Sequence, residues 1–275
     1  MTNITDCATL NNGLRMPWLG LGVFRSGEGE EVEHAVGWAL EAGYRSIDTA
    51  AIYRNERGVG KAVRASGIPR EEIFITTKVW NDDLRAGATR QAFQESLDRL
   101  GLDYVDLYLI HWPVKGRYHE AWKVMEEIYR SGRARAVGVS NFLLHHLQDL
   151  LEHTALVPAV NQIEFHPLLV QPELLRFCRA AGIQVEAWSP LMQGHALDVP
   201  EIRRLAEKYG RTPAQIVLRW DLQHEVVTIP KSVHRERIHE NARIFDFELT
   251  EEDMLLLDGL DAGRRFGSDP DHFNF

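Results

Sequence analysis

The chain has 275 residues, 44% of them hydrophobic, with a formal net charge of −9 and two cysteines. That length and apolar content suit a substantial folded core, and the acidic balance argues against a general nucleic-acid binder, although a local basic pocket can still hold a small anion. Cys7 and Cys178 are far apart and in no paired spacing, which excludes a disulfide framework and gives a zinc site no support, and no apolar run reaches membrane-spanning length.

The chain opens on a hairpin signal, Asn12-Gly13 between the short apolar runs 8–10 and 14–16. From there short apolar runs alternate with longer helical patterns. Strand-like runs are expected at 19–23, 46–48, 73–78, 105–111, 134–139, 159–163, 184–188 and 226–229. Helices are expected between them at 28–42, 56–65, 89–100, 119–130, 143–151, 172–181 and 200–209. A second helix at 213–223 carries Thr212 as N-cap and Pro213 in the first turn, and helices at 235–243 and 251–258 close the chain. Gly43, Gly67, Gly101, Gly132, Gly182 and Gly210 follow helical runs as C-cap residues do.

No Pro/Gly/Ser linker or charge block divides residues 1–275, and eight strand–helix units in one such chain predict a single (β/α)₈ TIM barrel of class α/β with an N-terminal β-hairpin. A doubly wound sheet would require a glycine-rich fingerprint after the first strand. Neither Gly20-Leu-Gly22 nor Gly58-Val-Gly60-Lys61 has that spacing, and the second falls inside a helix, where packing explains it.

In a parallel barrel the strand C-terminal ends converge on one face. Asp48, Lys78 and His111 end three consecutive runs, and Tyr53 lies five residues beyond Asp48. A phenol at that mouth can deliver a proton to a developing alkoxide if a neighbouring ammonium lowers its pKa, a role open to Lys78 with Asp48 holding the lysine protonated. His111 can donate a hydrogen bond to a carbonyl oxygen. Each residue also has a structural explanation: Asp48 as a turn cap, Tyr53 as packing, His111 on a backbone carbonyl. Lys78 is the hardest to explain so, because a lysine closing Ile73-Phe74-Ile75 bears a desolvation cost without a partner.

Gly43-Tyr44-Arg45-Ser46-Ile47-Asp48-Thr49-Ala50, with Tyr53, Asn55-Glu56 and Val59-Gly60, resembles the first signature of the aldo-keto reductases. Ile229-Pro230-Lys231-Ser232 resembles the family's late signature. The resemblance implies a metal-independent NADP(H)-dependent carbonyl reductase, with Tyr53 as general acid, Lys78 and Asp48 as its tuning pair and His111 orienting the substrate. It also implies that Lys231, Ser232, Val233 and Arg237 receive the 2′-phosphate of NADPH, that Glu240 and Asn241 meet the adenine, and that Ser140, Asn141 and Gln162 bond the carboxamide. Trp188 is implied to stack on the nicotinamide, with Ser189 and Leu191 beside it. Taken without the resemblance, Lys231 and Arg237 are a solvated basic helix end, with Arg237 and Glu240 an ordinary surface pair.

By the same resemblance Phe24, Trp80 and Trp112 wall the substrate pocket; packing competes for all three. The brief loop 112–118 and the short polar tail after Asp261 predict an open mouth suited to small oxo-compounds. The run 189–194 and the tail 269–271 resemble a bacterial branch that contains glyoxal/methylglyoxal reductases and 2,5-diketo-D-gluconate reductases, and both activities stay open. A nucleotide-sensing subunit with little catalysis and a Schiff-base aldolase using Lys78 are the alternatives; a metal-dependent hydrolase lacks His-x-His at any strand end. The expected partner is a small carbonyl compound, with no nucleic acid or membrane, and the expected form is a cytoplasmic monomer.

Overall fold

A computed structural model describes residues 1–275. Strands β1 (Cys7–Thr9) and β2 (Arg15–Pro17) form the antiparallel hairpin, and Gly13 turns it at φ 85°. Eight parallel strands follow in consecutive order: β3 (Leu21–Gly22), β4 (Ser46–Asp48), β5 (Phe74–Val79), β6 (Val105–Ile110), β7 (Ala134–Ser140), β8 (Val160–Glu164), β9 (Gln184–Trp188) and β10 (Val227–Thr228). Bridges Leu19↔Thr228 and Gly22↔Lys231 join the first strand to the last and close the barrel. Gly22 permits that closure, since a Cβ there would stand 2.9 Å from the Ile229 carbonyl oxygen.

The helices are α1 (Glu30–Glu41), α2 (Glu56–Ala65), α3 (Asn81–Arg85), α4 (Thr89–Leu100), α5 (Tyr118–Arg130), α6 (Leu144–Glu152), α7 (Pro172–Ala180), α8 (Pro200–Tyr209), α9 (Pro213–Gln223), α10 (Arg235–Asn241) and α11 (Glu251–Asp258). The expected barrel, hairpin and helix order hold, and all six expected C-cap glycines have positive φ. Thr212 accepts a hydrogen bond from the Gln215 backbone N–H and caps α9. The short α3 was not expected. The helix expected at 235–243 stops at Asn241, and the strand expected to reach His111 stops at Ile110. No helix is long and apolar enough to cross a membrane.

Two apolar layers fix which end of the barrel is free. The larger lies between strands and helices and includes Trp122, Trp220, Phe93 and Phe165. The smaller sits inside the lower barrel, where hairpin residues Ala8, Leu10 and Met16 pack on Phe74, Leu107, Val160 and Val227. The hairpin thus plugs the N-terminal end and leaves the opposite mouth open.

Gly58 and Gly60 serve packing, as expected. A Cβ on Gly60 would overlap the Leu100 carbonyl at the end of α4, and one on Gly58 would overlap Val32 of α1. Backbone cannot yield as a flexible side chain does, so Gly60→Ala is expected to cost about 3 kcal/mol or more. Urea denaturation checks this; an unchanged midpoint would contradict the helix packing described.

Candidate active site

The centre of the mouth is a buried ion pair. Lys78 is 0% and Asp48 2% exposed, and Lys78 Nζ donates to Asp48 Oδ1 at 2.6 Å and to the Thr49 carbonyl at 2.9 Å. β4 and β5 are neighbours in the sheet, with Asp48 level with Thr76, so the lysine rises from the next strand beside the carboxylate. Burial works to strip Lys78 of its proton, but Asp48, with Tyr53 and Glu186 assisting, outweighs it, and the ammonium is held above its ordinary range. Burial raises Asp48, against the pull of Lys78 and of Gln162, whose Nε2 donates to Asp48 Oδ2 at 2.7 Å.

Tyr53 sits beside this pair on a short 3₁₀ turn, Ala51–Tyr53, that ends at Arg54 in the left-handed region, φ 56°. Asn55 anchors that turn. Its Oδ1 accepts from Thr49 Oγ1 at 2.7 Å, and its Nδ2 donates to the Val23 and Ser26 carbonyls at 2.9 and 3.1 Å. Glu56, next in the chain, accepts from Thr77 Oγ1 and from Arg99 Nε at 2.6 Å each. The pair Asn55-Glu56, visible in the sequence only as motif letters, locks the tyrosine loop to β5 and α4.

Lys78 Nζ lies 5.1 Å from the centroid of the Tyr53 ring, and His111 meets that ring edge-on at 5.7 Å. The expected downward shift of Tyr53 is not observed. Burial raises the phenol, Lys78 pulls it down, and the first effect is larger. The correction is physical: the strand-end pattern reveals the ammonium but not the loss of solvent around the half-buried ring. Tyr53 therefore enters the site fully protonated. Burial, with Lys78 assisting, holds His111 well below its usual range and hence uncharged, and its Nδ1 has no partner.

The other strand ends complete the rim. Asn141, at φ 64°, donates through Nδ2 to the His111 carbonyl at 2.9 Å and to Ser140 Oγ at 3.1 Å, while its Oδ1 accepts from Trp188 Nε1 at 2.9 Å. Ser140 donates to the Gln162 carbonyl. The Gln162 amide is committed inward, to Asp48 and to Glu186 Oε2 at 2.7 Å each. Trp188 and Leu191 keep half-exposed faces, and Ser189 at φ 53° turns the chain between them. Lys231 and Arg237 are exposed and make no ion pair within the chain, whereas Ser232 and Asn241 are buried and Val233 is partly so. Glu240 is not the partner of Arg237; it accepts from Thr212 Oγ1 at 2.9 Å.

Phe24, 51% exposed, stands 5.0 Å from the Tyr53 ring, and Trp80 meets His111 at 5.2 Å. The expected open, polar mouth is corrected here. Phe275 stacks on Trp80 at 5.7 Å with planes 6° apart, Phe273 packs on Trp112 at 5.1 Å, and Asn81 and Arg85 of α3 donate to the Phe275 backbone oxygen. Backbone N–H groups of Phe266 and Gly267 donate to Glu164 Oε1, which holds the start of the same tail. The tail is polar in composition, but two of its three phenylalanines, Phe273 and Phe275, meet Trp112 and Trp80.

Residues 18–262 match the model of the aldo/keto reductase family. The chain is 54% identical to glyoxal reductase of Bacillus subtilis, covering 100% of this chain and 99% of that protein. It is 51% identical to methylglyoxal reductase DkgA of Escherichia coli, covering 96% of each. Among solved structures, an aldo-keto reductase of Bombyx mori in complex with NADP superposes with a TM-score of 0.90 at 38% identity, covering 96% of this chain and 95% of that one. Similarity over this length, joined to a barrel mouth that holds a protonated phenol beside a buried ammonium, has one meaning: the chain belongs to the aldo/keto reductase family and is an oxidoreductase that acts on carbonyl groups.

Proposed function

We propose that the protein reduces aldehydes and reactive ketones to alcohols with NADPH, and that Tyr53 is the proton donor. The observation that carries this reading is the buried Lys78–Asp48 pair next to the half-buried Tyr53 ring. Bound at the mouth, the nicotinamide cofactor supplies the hydride. The rim fits such a group: Trp188 offers a half-exposed ring face held by Asn141, Ser140 and Gln162 stand at the neighbouring strand ends, and Ser189 and Leu191 follow Trp188 in the chain. Lys231, Ser232, Val233 and Arg237 receive the 2′-phosphate, and Glu240 and Asn241 the adenine.

The carbonyl oxygen of the substrate sits between Tyr53 and His111. Uncharged His111 donates one hydrogen bond and orients it. As negative charge grows on that oxygen, Tyr53 delivers its proton, and Lys78 stabilises the phenolate left behind. Lys78 is a poor Schiff-base nucleophile here, because the Asp48 carboxylate keeps it protonated. Phe24, Trp80 and Trp112, with Phe273 and Phe275 of the tail, make an apolar collar that suits a short substrate such as methylglyoxal more than a polyhydroxy keto acid. The large exposed apolar side chains are few, with Phe24 and Phe275 at the mouth and Leu197 and Leu255 elsewhere, which supports a monomer.

Replacing both cations, Lys231→Met with Arg237→Ala, is expected to raise the Kd for NADPH by about 10²- to 10⁴-fold, since each of the two charge-assisted contacts contributes roughly 1.5–3 kcal/mol. The Kd for NADH should change by less than about threefold, because NADH lacks the phosphate. Fluorescence titration measures both constants. The function itself is tested by NADPH oxidation, followed by absorbance, with methylglyoxal and with 2,5-diketo-D-gluconate. Turnover faster with methylglyoxal supports the reading; tight NADPH binding without turnover of any carbonyl would favour a sensor.

A further inference from the structure

Beneath the ion pair lies a carboxyl group that the chemistry above does not use. Glu186 of β9 is level with Gln162 of β8 in the sheet, so both side chains project from the same face, into the barrel. Glu186 is 0% exposed. One Gln162 amide nitrogen donates to Glu186 Oε2 and to Asp48 Oδ2 at 2.7 Å each, and Asp48 Oδ1 holds Lys78 at 2.6 Å. Glu186, Gln162, Asp48 and Lys78 are therefore one hydrogen-bonded chain that ends beside Tyr53. The other Glu186 oxygen, Oε1, is buried and without a partner.

The charge balance of this interior is uneven. The charged and titratable groups that face Glu186 are Asp48 from β4, Lys78 from β5 and Tyr53 from the loop after β4. On its other flank β10 contributes Val227, its apolar register partner. One ammonium thus stands against two carboxyl groups, and Lys78 is already committed to Asp48 and the Thr49 carbonyl. An ionised Glu186 with a bare Oε1 would be a second buried charge without a counterion, which is strongly unfavourable.

We propose that Glu186 is a positioning residue for carbonyl reduction: uncharged, it steadies Gln162 against Asp48 and leaves the Lys78 charge to Tyr53, and on losing its proton it adds a negative charge that weakens Tyr53 as an acid. The inference rests on Tyr53 being the proton donor. Burial and the neighbouring Asp48 push the Glu186 carboxyl up to about 8, so the change falls within the working range of pH. The direction follows from electrostatics: added negative charge near the phenol disfavours the phenolate and slows proton delivery as pH rises.

The test joins kinetics to a titration that does not require turnover. Wild-type kcat for reduction should fall by about three- to tenfold between roughly pH 7 and 9. In Glu186→Gln, which preserves the shape of the side chain, that limb should vanish, with kcat near pH 6.5 within about threefold of wild type and the Kd for NADPH unchanged. Infrared difference spectra of wild type should lose a protonated-carboxyl band as pH rises through about 8, and that band should be absent from Glu186→Gln or, if that variant does not fold, from Glu186→Leu. No carboxyl band titrating there, or the same kinetic limb in Glu186→Gln, would overturn the inference while leaving Tyr53 as proton donor. Equal turnover by wild type and Tyr53→Phe would instead remove the parent reading, and this one with it.

Discussion

Tyr53→Phe is expected to lower kcat for carbonyl reduction by about 10³-fold, within the roughly 10²–10⁴ range of general acid catalysis. The loss should fall on kcat and kcat/KM alike, because the proton is needed only as charge develops on oxygen. Binding of NADPH should not change. The Tyr53 ring rests on Lys78 and His111 through its faces and edges, and phenylalanine keeps all of those contacts. Steady-state NADPH oxidation and fluorescence titration check the two halves separately. A variant that retains a third of the wild-type rate would show that another donor, with uncharged His111 the nearest candidate, protonates the alkoxide.

The second large effect separates stability from chemistry at one position. Lys78→Met leaves the Asp48 carboxylate buried, with Gln162 as its remaining side-chain donor. Removing one partner of a buried pair typically costs about 3–5 kcal/mol, because the charge left behind is uncompensated. Adding Asp48→Asn removes that charge, so the double variant should recover much of the stability. Neither variant should recover activity, since both lack the ammonium that stabilises the Tyr53 phenolate, and kcat should stay at least about 10²-fold below wild type. Denaturant titration and kinetics on the three proteins test this. Activity that returns together with stability would mean that Lys78 merely supports the fold.

Much of the site was legible because barrel topology turns a sequence regularity into a place. Asp48, Lys78 and His111 follow apolar runs, and parallel closure must bring such positions to one mouth. Gly58 and Gly60, without phosphate-loop spacing, were legible as packing, and the structure sets them against Val32 and Leu100. Other features depend on contacts that no local pattern encodes. Glu186 stands between Val185 and Ala187 in an ordinary strand pattern; only its register with Gln162 turns it toward Asp48. Phe273 and Phe275 sit in a tail whose composition looks polar, and their stacking on Trp112 and Trp80 needs the chain to cross the mouth. The direction of the Tyr53 shift needed burial as well as charge, and sequence supplies only the charge.

Direct hydride delivery to a carbonyl carbon whose oxygen is protonated by Tyr53 is tested most directly with NADPH carrying deuterium at carbon 4 of the nicotinamide. Methylglyoxal would be reduced by wild type and by Tyr53→Phe, and the alcohol examined by mass spectrometry. The expected result is one deuterium in the wild-type product, on the former carbonyl carbon, formed at a rate that the tyrosine variant does not approach. Product without deuterium from either cofactor face, or labelled product formed equally fast without the Tyr53 hydroxyl, would contradict the assignment of this site.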